Sequence, residues 1–208
     1  LGALQLRGAS PWTTTAACVA AAALAGGIDV SLGYPAGTAA ALGCAGVPWE
    51  ATWALLEDEI VDDDRNRNNR FEVAAELNKR QRGQTPLSLV DSALGPFWGC
   101  PAGRAGPHLA PTKPVSFGAL GEWRHTEEVL RDAGARPSSV WQLLGAGAVG
   151  SQSLLAIPWL SRMRRRCRRL DVWPFTTGLR PPEVAAGGAV LAEVWPSMME
   201  SMSVHAGE

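Results

Sequence analysis

The clearest candidate for chemistry in this sequence is a glycine-rich turn at residues 145–150, which reads GAGAVG. Gly145, Gly147 and Gly150 match the Gly-x-Gly-x-x-Gly spacing of dinucleotide-binding folds. In those folds an acid about twenty residues later binds the ribose, and Asp171 stands near that position. The turn and the adjacent Ser151 are therefore a candidate site for nucleotide phosphates.

The position of this turn argues against a complete NAD site. A dinucleotide fingerprint opens the first βαβ unit, whereas these glycines come late in the 208 residues. Pro158 is expected to interrupt the helix predicted over 151–166, which would have to pack behind the pyrophosphate. We therefore predict a tight turn from a strand over 140–144 into a helix, with close backbone packing as its main role. An anion would be an optional ligand there, held with help from Arg70.

Lone carboxylates in apolar, strand-like segments form a second candidate site. Asp29 falls in the segment 28–32, and Glu193 falls in the segment 189–195. A carboxylate inside a buried strand needs solvent, a partner or a metal ion, because burying it unpaired is costly. The alternative for Asp29 is a strand-end position that faces water or caps the next turn.

The run NNRFEVAAELN at 68–78 contributes a third carboxylate. Asn69 is expected to cap a helix, and Glu72 follows three residues later, as in a capping box. Glu72 and Glu76 are four residues apart and would share one helix face, where two carboxylates could bind a hard cation. The alternative is one capping glutamate and one exposed glutamate.

Six arginines within eight positions are the main local charge feature, and we term them the arginine cluster. Its members are Arg162, Arg164, Arg165, Arg166, Arg168 and Arg169. Cations near a helix C-terminus gain about 0.3–1 kcal/mol each from the macrodipole, which accounts for some of these residues. Six together also suit a polyanion, so a nucleotide or a nucleic acid is a candidate partner.

Composition sets bounds on these hypotheses. A chain of 208 residues with a formal net charge of -1 is expected to form one domain over 1–208, without an overall attraction to polyanions. Its four cysteines lie far apart and form no CxxC pair, so we expect neither a zinc site nor a disulfide framework, and a cytoplasmic location. No apolar run approaches the roughly 20 residues that span a bilayer, so no membrane partner is expected.

Several elements must position these side chains. Helices are predicted over 13–25, from Pro48 onward, and over 121–133. In the second of these, Trp49, Trp53, Leu56 and Ile60 recur at helical spacing. The segment 82–114 is rich in Gly and Pro and is expected to be a long loop. Its Phe97 and Trp98 are expected to pack on the core, with stacking on a base or ring as the alternative.

Several segments resemble a group of uncharacterised bacterial proteins that carry labels for molybdopterin-guanine dinucleotide or cobalamin biosynthesis. The matching segments are GYPAG (33–37), NNRFEVAAELN (68–78), GPFWGCP (95–101), VWQLLGAGAVGSQ (140–152), VWPF (172–175) and AEVWPS (192–197). More distantly, the group is similar to domains with an RNase H-like fold. The resemblance implies an α/β protein with a mixed sheet and flanking helices.

For function, the resemblance implies a divalent-metal-dependent phosphoester hydrolase of nuclease type. Asp29, Glu72 and Glu193 would then bind Mg²⁺ or Mn²⁺ and act as the catalytic carboxylates. The first strand of such folds, with its central aspartate, has no counterpart here. Because the chain also begins at Leu1 instead of methionine, we expect a fragment or a processed chain.

Two further hypotheses remain open. The first is a nucleotide- or pterin-binding module without hydrolysis, which would use the glycine turn and the Phe97-Trp98 loop. The second is an interaction or remnant protein without catalysis, which would form a homo-oligomer, since a truncated sheet exposes an unpaired edge.

Overall fold

The computed structural model describes residues 24–82, 95–180 and 188–195. Their contacts divide the chain into two compact units. Ser31–Trp159 is one of them, which we term the helical unit; the other, the sheet unit, takes its described residues from Leu1–Val30 and Leu160–Glu208. Folding of 1–208 as a single domain stays a prediction.

Three parallel strands form the sheet unit: β1 (Leu24–Ile28), β2 (Leu170–Trp173) and β3 (Ala189–Glu193). β3 lies between the other two, so the order is β1-β3-β2. The strand predicted over 189–195 is thus confirmed, and the combination of helices with a parallel sheet confirms the α/β class. The described strands are all parallel, whereas the resemblance implied a mixed sheet.

β1 begins where a helix was predicted to end. The helix expected over 13–25 is wrong at residues 24 and 25, which pair with Ala189 and Val190 of β3, and its residues 13–23 lie outside the described ranges. Strand pairing overrides the helix propensity of alanine and leucine here. Gly27 suits this strand because a Cβ at this position would lie 2.8 Å from Cγ2 of Val194, so glycine leaves that side chain room.

The helical unit begins with α1 (Thr38–Ala41) and α2 (Pro48–Glu59). α2 confirms the helix predicted from Pro48, with that proline in the first turn. Trp53 and Leu56 are buried, and Trp49 packs edge-on against Trp53 at 5.2 Å between ring centroids. Trp53 therefore belongs to the core, and Trp49 packs against it from a half-buried position.

α3 (Arg70–Arg82) follows a short hairpin-like link. The predicted capping box is wrong, because the Asn69 side chain points back to the preceding segment. Its Oδ1 accepts the Val61 N–H at 2.8 Å, and its Nδ2 donates to the Glu59 carbonyl at 2.9 Å. Asn69 thus joins the end of α2 to the start of α3.

The described part of the predicted loop, 95–114, is irregular apart from one 3-10 turn at Ala102–Arg104. Phe97 is buried and contacts the ring of Trp141 at 4.9 Å, as expected for packing on the core. The fully buried Asn78 of α3 holds this loop. Its Nδ2 donates to the carbonyls of Phe97 and His108, and its Oδ1 accepts the Phe97 N–H.

The remaining helices are α4 (His125–Asp132) and α5 (Val149–Arg166). The strand predicted over 140–144 is wrong, since only Gln142 makes an isolated bridge, with Trp98. The predicted interruption at Pro158 is also wrong, because α5 continues through it. A proline inside a helix forfeits one backbone hydrogen bond, and Pro158 is buried at this position. None of the helices within the described ranges is long and apolar enough to cross a membrane.

Candidate functional sites

The glycine turn at 145–150 brings two backbone segments of the helical unit into close contact. Gly145 and Gly147 adopt positive φ angles of 96° and 73°, which favour glycine. A Cβ on Gly150 would lie 2.5 Å from the Val140 carbonyl oxygen and 2.7 Å from that of Gln142. Close backbone packing, the role predicted for this turn, is therefore what Gly150 provides.

Two backbone donors at the end of this turn are engaged within the protein. The Gly150 N–H donates to the Gln142 carbonyl at 2.8 Å, and the Val149 N–H donates to the Gly147 carbonyl at 2.7 Å. The Gln142 side chain closes the turn further, since its Nε2 donates to the carbonyls of Leu144 and Ala146. These bonds hold the turn closed on itself, and the absence of a complete NAD site stays a prediction.

Two of the predicted phosphate-binding residues, Arg70 and Ser151, lie in contact. The Arg70 Nε donates to the Ser151 Oγ at 3.0 Å, and the Ser151 hydroxyl donates to the Leu143 carbonyl at 2.5 Å. Asn68 Oδ1 accepts from Arg70 Nη1 at 2.6 Å, and the guanidinium lies 4.4 Å from the centre of the Phe71 ring. The contact thus joins the first turns of α3 and α5, the positive ends of two helix dipoles.

The two lone carboxylates lie at the carboxyl edge of the sheet unit. Register pairs Ile28, the last residue of β1, with Glu193, the last residue of β3. Asp29 follows Ile28 on an exposed bend, and the Val194 N–H donates to the Ile28 carbonyl at 3.0 Å. The backbones of Asp29 and Glu193 are therefore close neighbours, since adjacent strands run about 4.8 Å apart.

Glu193 is half-buried, and its Oε1 accepts the indole N–H of Trp195 at 3.1 Å. A hydrogen bond to a carboxylate restricts its rotamer and orients its oxygen atoms. Asp29, by contrast, faces solvent, which is the alternative that the sequence left open.

Glu72, the third predicted metal ligand, belongs to the helical unit. Its exposed carboxylate forms an ion pair with Arg104. Glu76, four residues on, pairs with Lys79 and Arg80 at 3.4 Å each, so both glutamates of this face have cationic partners. Within residues 24–82, 95–180 and 188–195, no three His, Cys, Asp or Glu side chains are grouped to hold one metal ion.

The arginine cluster lies at the opposite, amino edge of the sheet. α5 ends at Arg166, and β2 begins at Leu170, so the cluster spans the end of the helix and the turn into the sheet. The Arg169 carbonyl accepts the N–H of Ala189, the first residue of β3, at 2.9 Å. Four strand steps separate Ala189 from Glu193, or roughly 13 Å.

A buried polar cluster in the helical unit was not predicted from the sequence. Glu127 is 1% exposed, and its carboxylate accepts from the Arg124 Nε at 2.7 Å and from the Arg124 backbone N–H at 2.9 Å. The hydroxyl of Tyr34 is buried without a partner, and its burial raises the pKa of that phenol. The available signal in the sequence was the spacing of Arg124 and Glu127, opposite charges three residues apart at the start of a helix. Such spacing usually indicates a pair on the solvent-exposed face of a helix.

Compared with protein-family models, with curated proteins and with solved structures, the chain matches none. The family resemblance carried by segments such as NNRFEVAAELN and GPFWGCP therefore stays a prediction. The positions and contacts of the side chains themselves are then the basis for inferring function.

Proposed function

We propose that the sheet unit is an RNase H-like phosphoester hydrolase that binds one divalent cation, Mg²⁺ or Mn²⁺, through Asp29 and Glu193. The observation that carries the proposal is the pairing of Ile28 with Glu193, which brings the two acids to the ends of neighbouring parallel strands. Open α/β sheets bind their ligands at the carboxyl ends of the strands, where these acids lie.

The donor set fits a hard cation of the Mg²⁺ class. Mg²⁺ keeps several waters and commonly uses only one or two carboxylates, completed by phosphate oxygens of the substrate. Asp29 and Glu193 supply that number, so a site of this kind requires no third acid from the protein. In a regular strand, successive side chains point to opposite faces of the sheet, so Asp29 would point away from the face of Glu193. The bend at Asp29 and Val30 removes this constraint.

The proposed site differs from the three-carboxylate arrangement implied by the resemblance. Glu72 is left out because Arg104 already neutralises its carboxylate. When bound, the cation would neutralise charge on the phosphate and lower the pKa of a coordinated water. Asp29 and Glu193 would hold it, and the Trp195 indole N–H would orient the Glu193 carboxylate. A phosphodiester, including that of a nucleic acid, is the substrate class we propose.

Metal binding by carboxylate variants tests this proposal. Calorimetric titration with Mn²⁺ should give a dissociation constant between about 1 µM and 1 mM for the unaltered chain. Asp29→Asn and Glu193→Gln should each weaken binding by about tenfold or more, because one of the two anionic ligands is lost. Asp171→Asn is the matched control. Asp171 is an exposed acid of β2 that pairs with Val190, away from the strand ends that carry Asp29 and Glu193.

Retention of wild-type Mn²⁺ affinity in both variants would overturn the assignment. Equal weakening in Asp171→Asn would also count against it, since a general loss of negative charge would then explain the change. Mn²⁺-dependent cleavage of bis(p-nitrophenyl) phosphate should follow the same order among the three variants.

A second candidate is favoured by the contact between Arg70 and Ser151. We propose that a nucleotide phosphate binds where the first turns of α3 and α5 meet, without hydrolysis. The Val149 and Gly150 N–H groups are engaged within the turn, so the charge of Arg70 and the positive ends of the two helix dipoles would attract the phosphate oxygens. Titration with GTP in the presence of EDTA should quench tryptophan fluorescence, and Arg70→Gln should abolish the effect while Arg65→Gln, an exposed arginine just before α3, should preserve it. Equal quenching in both variants would exclude this site.

A further inference from the structure

We infer that the arginine cluster is a docking surface for the phosphodiester backbone of a nucleic acid, at the amino edge of the sheet unit. The inference shares with the proposed function only its class of ligand, because it uses neither Asp29 nor Glu193. It rests on the charge of this unit, on the exposure of the arginines and on their distance from the carboxylate edge.

Positive charge predominates among the described residues of the sheet unit. Its described residues carry seven arginines, the six of the cluster and Arg180, against three carboxylates: Asp29, Asp171 and Glu193. The whole chain has a formal net charge of -1, so the positive charge of these described residues is offset by acids at other positions of the sequence. Such local concentration attracts polyanions even when the net charge of the protein does not.

The arginines also present a coherent surface. Arg165, Arg166, Arg168 and Arg169 are exposed, and Arg162 and Arg164 are half-buried. Arg162, Arg165 and Arg166 have the i, i+3, i+4 spacing that places side chains on one helix face.

Contact with a ligand at this surface would be made by guanidinium groups and not by the helix backbone. The C-terminal carbonyls of α5 carry partial negative charge and repel phosphate. Arginine side chains bind phosphate oxygens through paired N–H donors, and this recognition does not depend on base sequence. The ligand would therefore be held by its backbone, at roughly 13 Å along the strands from Glu193.

An anionic membrane would attract the same charges, but the neighbouring side chains favour a nucleic acid. A helix that lies in a membrane interface needs an exposed apolar face beside its cations. Leu160 and Leu170, which flank the cluster, are buried. Among the described residues 160–180, Leu179 is the only large apolar side chain that is exposed.

Salt-dependent binding to a labelled single-stranded RNA of 20 nucleotides tests the inference. Fluorescence anisotropy is measured in EDTA, so that a failure of the cation site does not affect the result. The variant is Arg165→Gln with Arg168→Gln, and the matched control is Arg65→Gln with Arg136→Gln, which removes the same charge from exposed positions of the helical unit. Arg165→Lys with Arg168→Lys retains the charge but loses the paired N–H donors.

We expect the unaltered chain to bind the RNA with an affinity that falls as salt rises. Loss of two phosphate contacts should reduce the slope of log K against log salt concentration by about 1.4, given about 0.7 per contact for single strands. The control should keep the wild-type slope, and the lysine variant should keep most of it. Equal loss in the variant and the control would overturn the inference, as would binding to phosphatidylserine vesicles without binding to RNA.

Discussion

Arg70 and Ser151 are hydrogen-bonded over 3.0 Å although 81 residues separate them. The bond ties the first turn of α3 to the first turn of α5 and fixes the glycine turn between Leu143 and Ser151. Both residues were singled out from the sequence as phosphate ligands, for reasons that did not predict their contact. Within the helical unit, the contact is also structural, because each partner has a further bond: Arg70 to Asn68, and Ser151 to Leu143.

Replacement of Ser151 by alanine should therefore lower stability. Ser151→Ala removes an acceptor from a charged donor and a donor from the Leu143 carbonyl. Loss of a hydrogen bond to a charged group costs about 1.5–3 kcal/mol, so we expect a decrease in the free energy of unfolding of about 2 kcal/mol. Urea denaturation measures it, with Ser161→Ala on the same helix as the control. A loss below about 0.5 kcal/mol would show that this bond does not join the helices.

Gly150→Ala should be more damaging than an ordinary glycine substitution. Its Cβ would lie 2.5 Å from a backbone oxygen that no side-chain rotation can move away. Overpacking of this kind costs about 1–3 kcal/mol. Gly103→Ala is the control, since a Cβ there meets nothing within 4 Å. Equal denaturation midpoints for the two variants would contradict the close approach of Val140 and Gly150.

Asn78→Ala should loosen the segment 95–110. It removes three hydrogen bonds and leaves the buried N–H and carbonyl groups of Phe97 without a partner. An unsatisfied buried group costs about 1–3 kcal/mol, so a total loss of about 3 kcal/mol is expected. Lys79→Ala, the exposed next residue, should change stability by less than about 0.5 kcal/mol. Amide hydrogen exchange should locate the loss, because the Phe97 N–H should exchange faster in Asn78→Ala and not in Lys79→Ala. Unchanged exchange at Phe97 in Asn78→Ala would reject the role of Asn78.

Elements with a strong local signal could be predicted from the sequence. α2 can be predicted from Pro48 and the helical spacing of Trp53 and Leu56. β3 can be predicted from an apolar run that lies between a glycine and a proline. β1 could not be predicted, because its Ala-Gly-Gly sequence has low strand propensity and forms a strand only when β3 pairs with it. Tertiary pairing decides such a segment.

The candidate sites were predictable to a similar extent. That Asp29 and Glu193 resemble each other as lone acids in apolar segments was visible in the sequence, but their adjacency depends on strand order and register. Asn69 was expected to cap α3 because its position is right for a cap. Its side chain instead bonds to Val61 and Glu59, residues whose proximity no local pattern encodes.

The carboxyl group of Asp63 should titrate below its ordinary value. The backbone N–H of Arg67 is the main cause that lowers the pKa of Asp63, and the Arg67 side chain and the Arg65 N–H add to it. Since the pKa is lower in the folded state, its contribution to stability is present above the ordinary value of 3.8 and is lost as pH falls through the folded pKa. The difference in the free energy of unfolding between wild type and Asp63→Asn should therefore shrink as the pH falls from about 5 to about 2, the range in which carboxylates titrate. A ¹³C-detected titration of Asp63 with its midpoint at or above the ordinary value would reject the hairpin geometry.

Glu127 should be the least replaceable acid of α4. Its carboxylate is paired with Arg124, and the two side chains are only 2% and 11% exposed. Removing one partner of a buried pair leaves an uncompensated charge, so Glu127→Gln should cost about 3–5 kcal/mol. Glu128→Gln is the matched control on the next residue, because its carboxylate is exposed and its pair with His125 lies at the surface.

A double variant separates charge from packing at this pair. Arg124→Met with Glu127→Leu replaces both charges by apolar side chains of similar volume, a change that is often close to neutral for buried pairs. We therefore expect it to recover most of the stability that Glu127→Gln loses, as measured by urea denaturation of all four proteins. If the double variant is no more stable than Glu127→Gln, the polar contacts of Arg124 themselves hold the start of α4, and the uncompensated charge is not the cause of the loss.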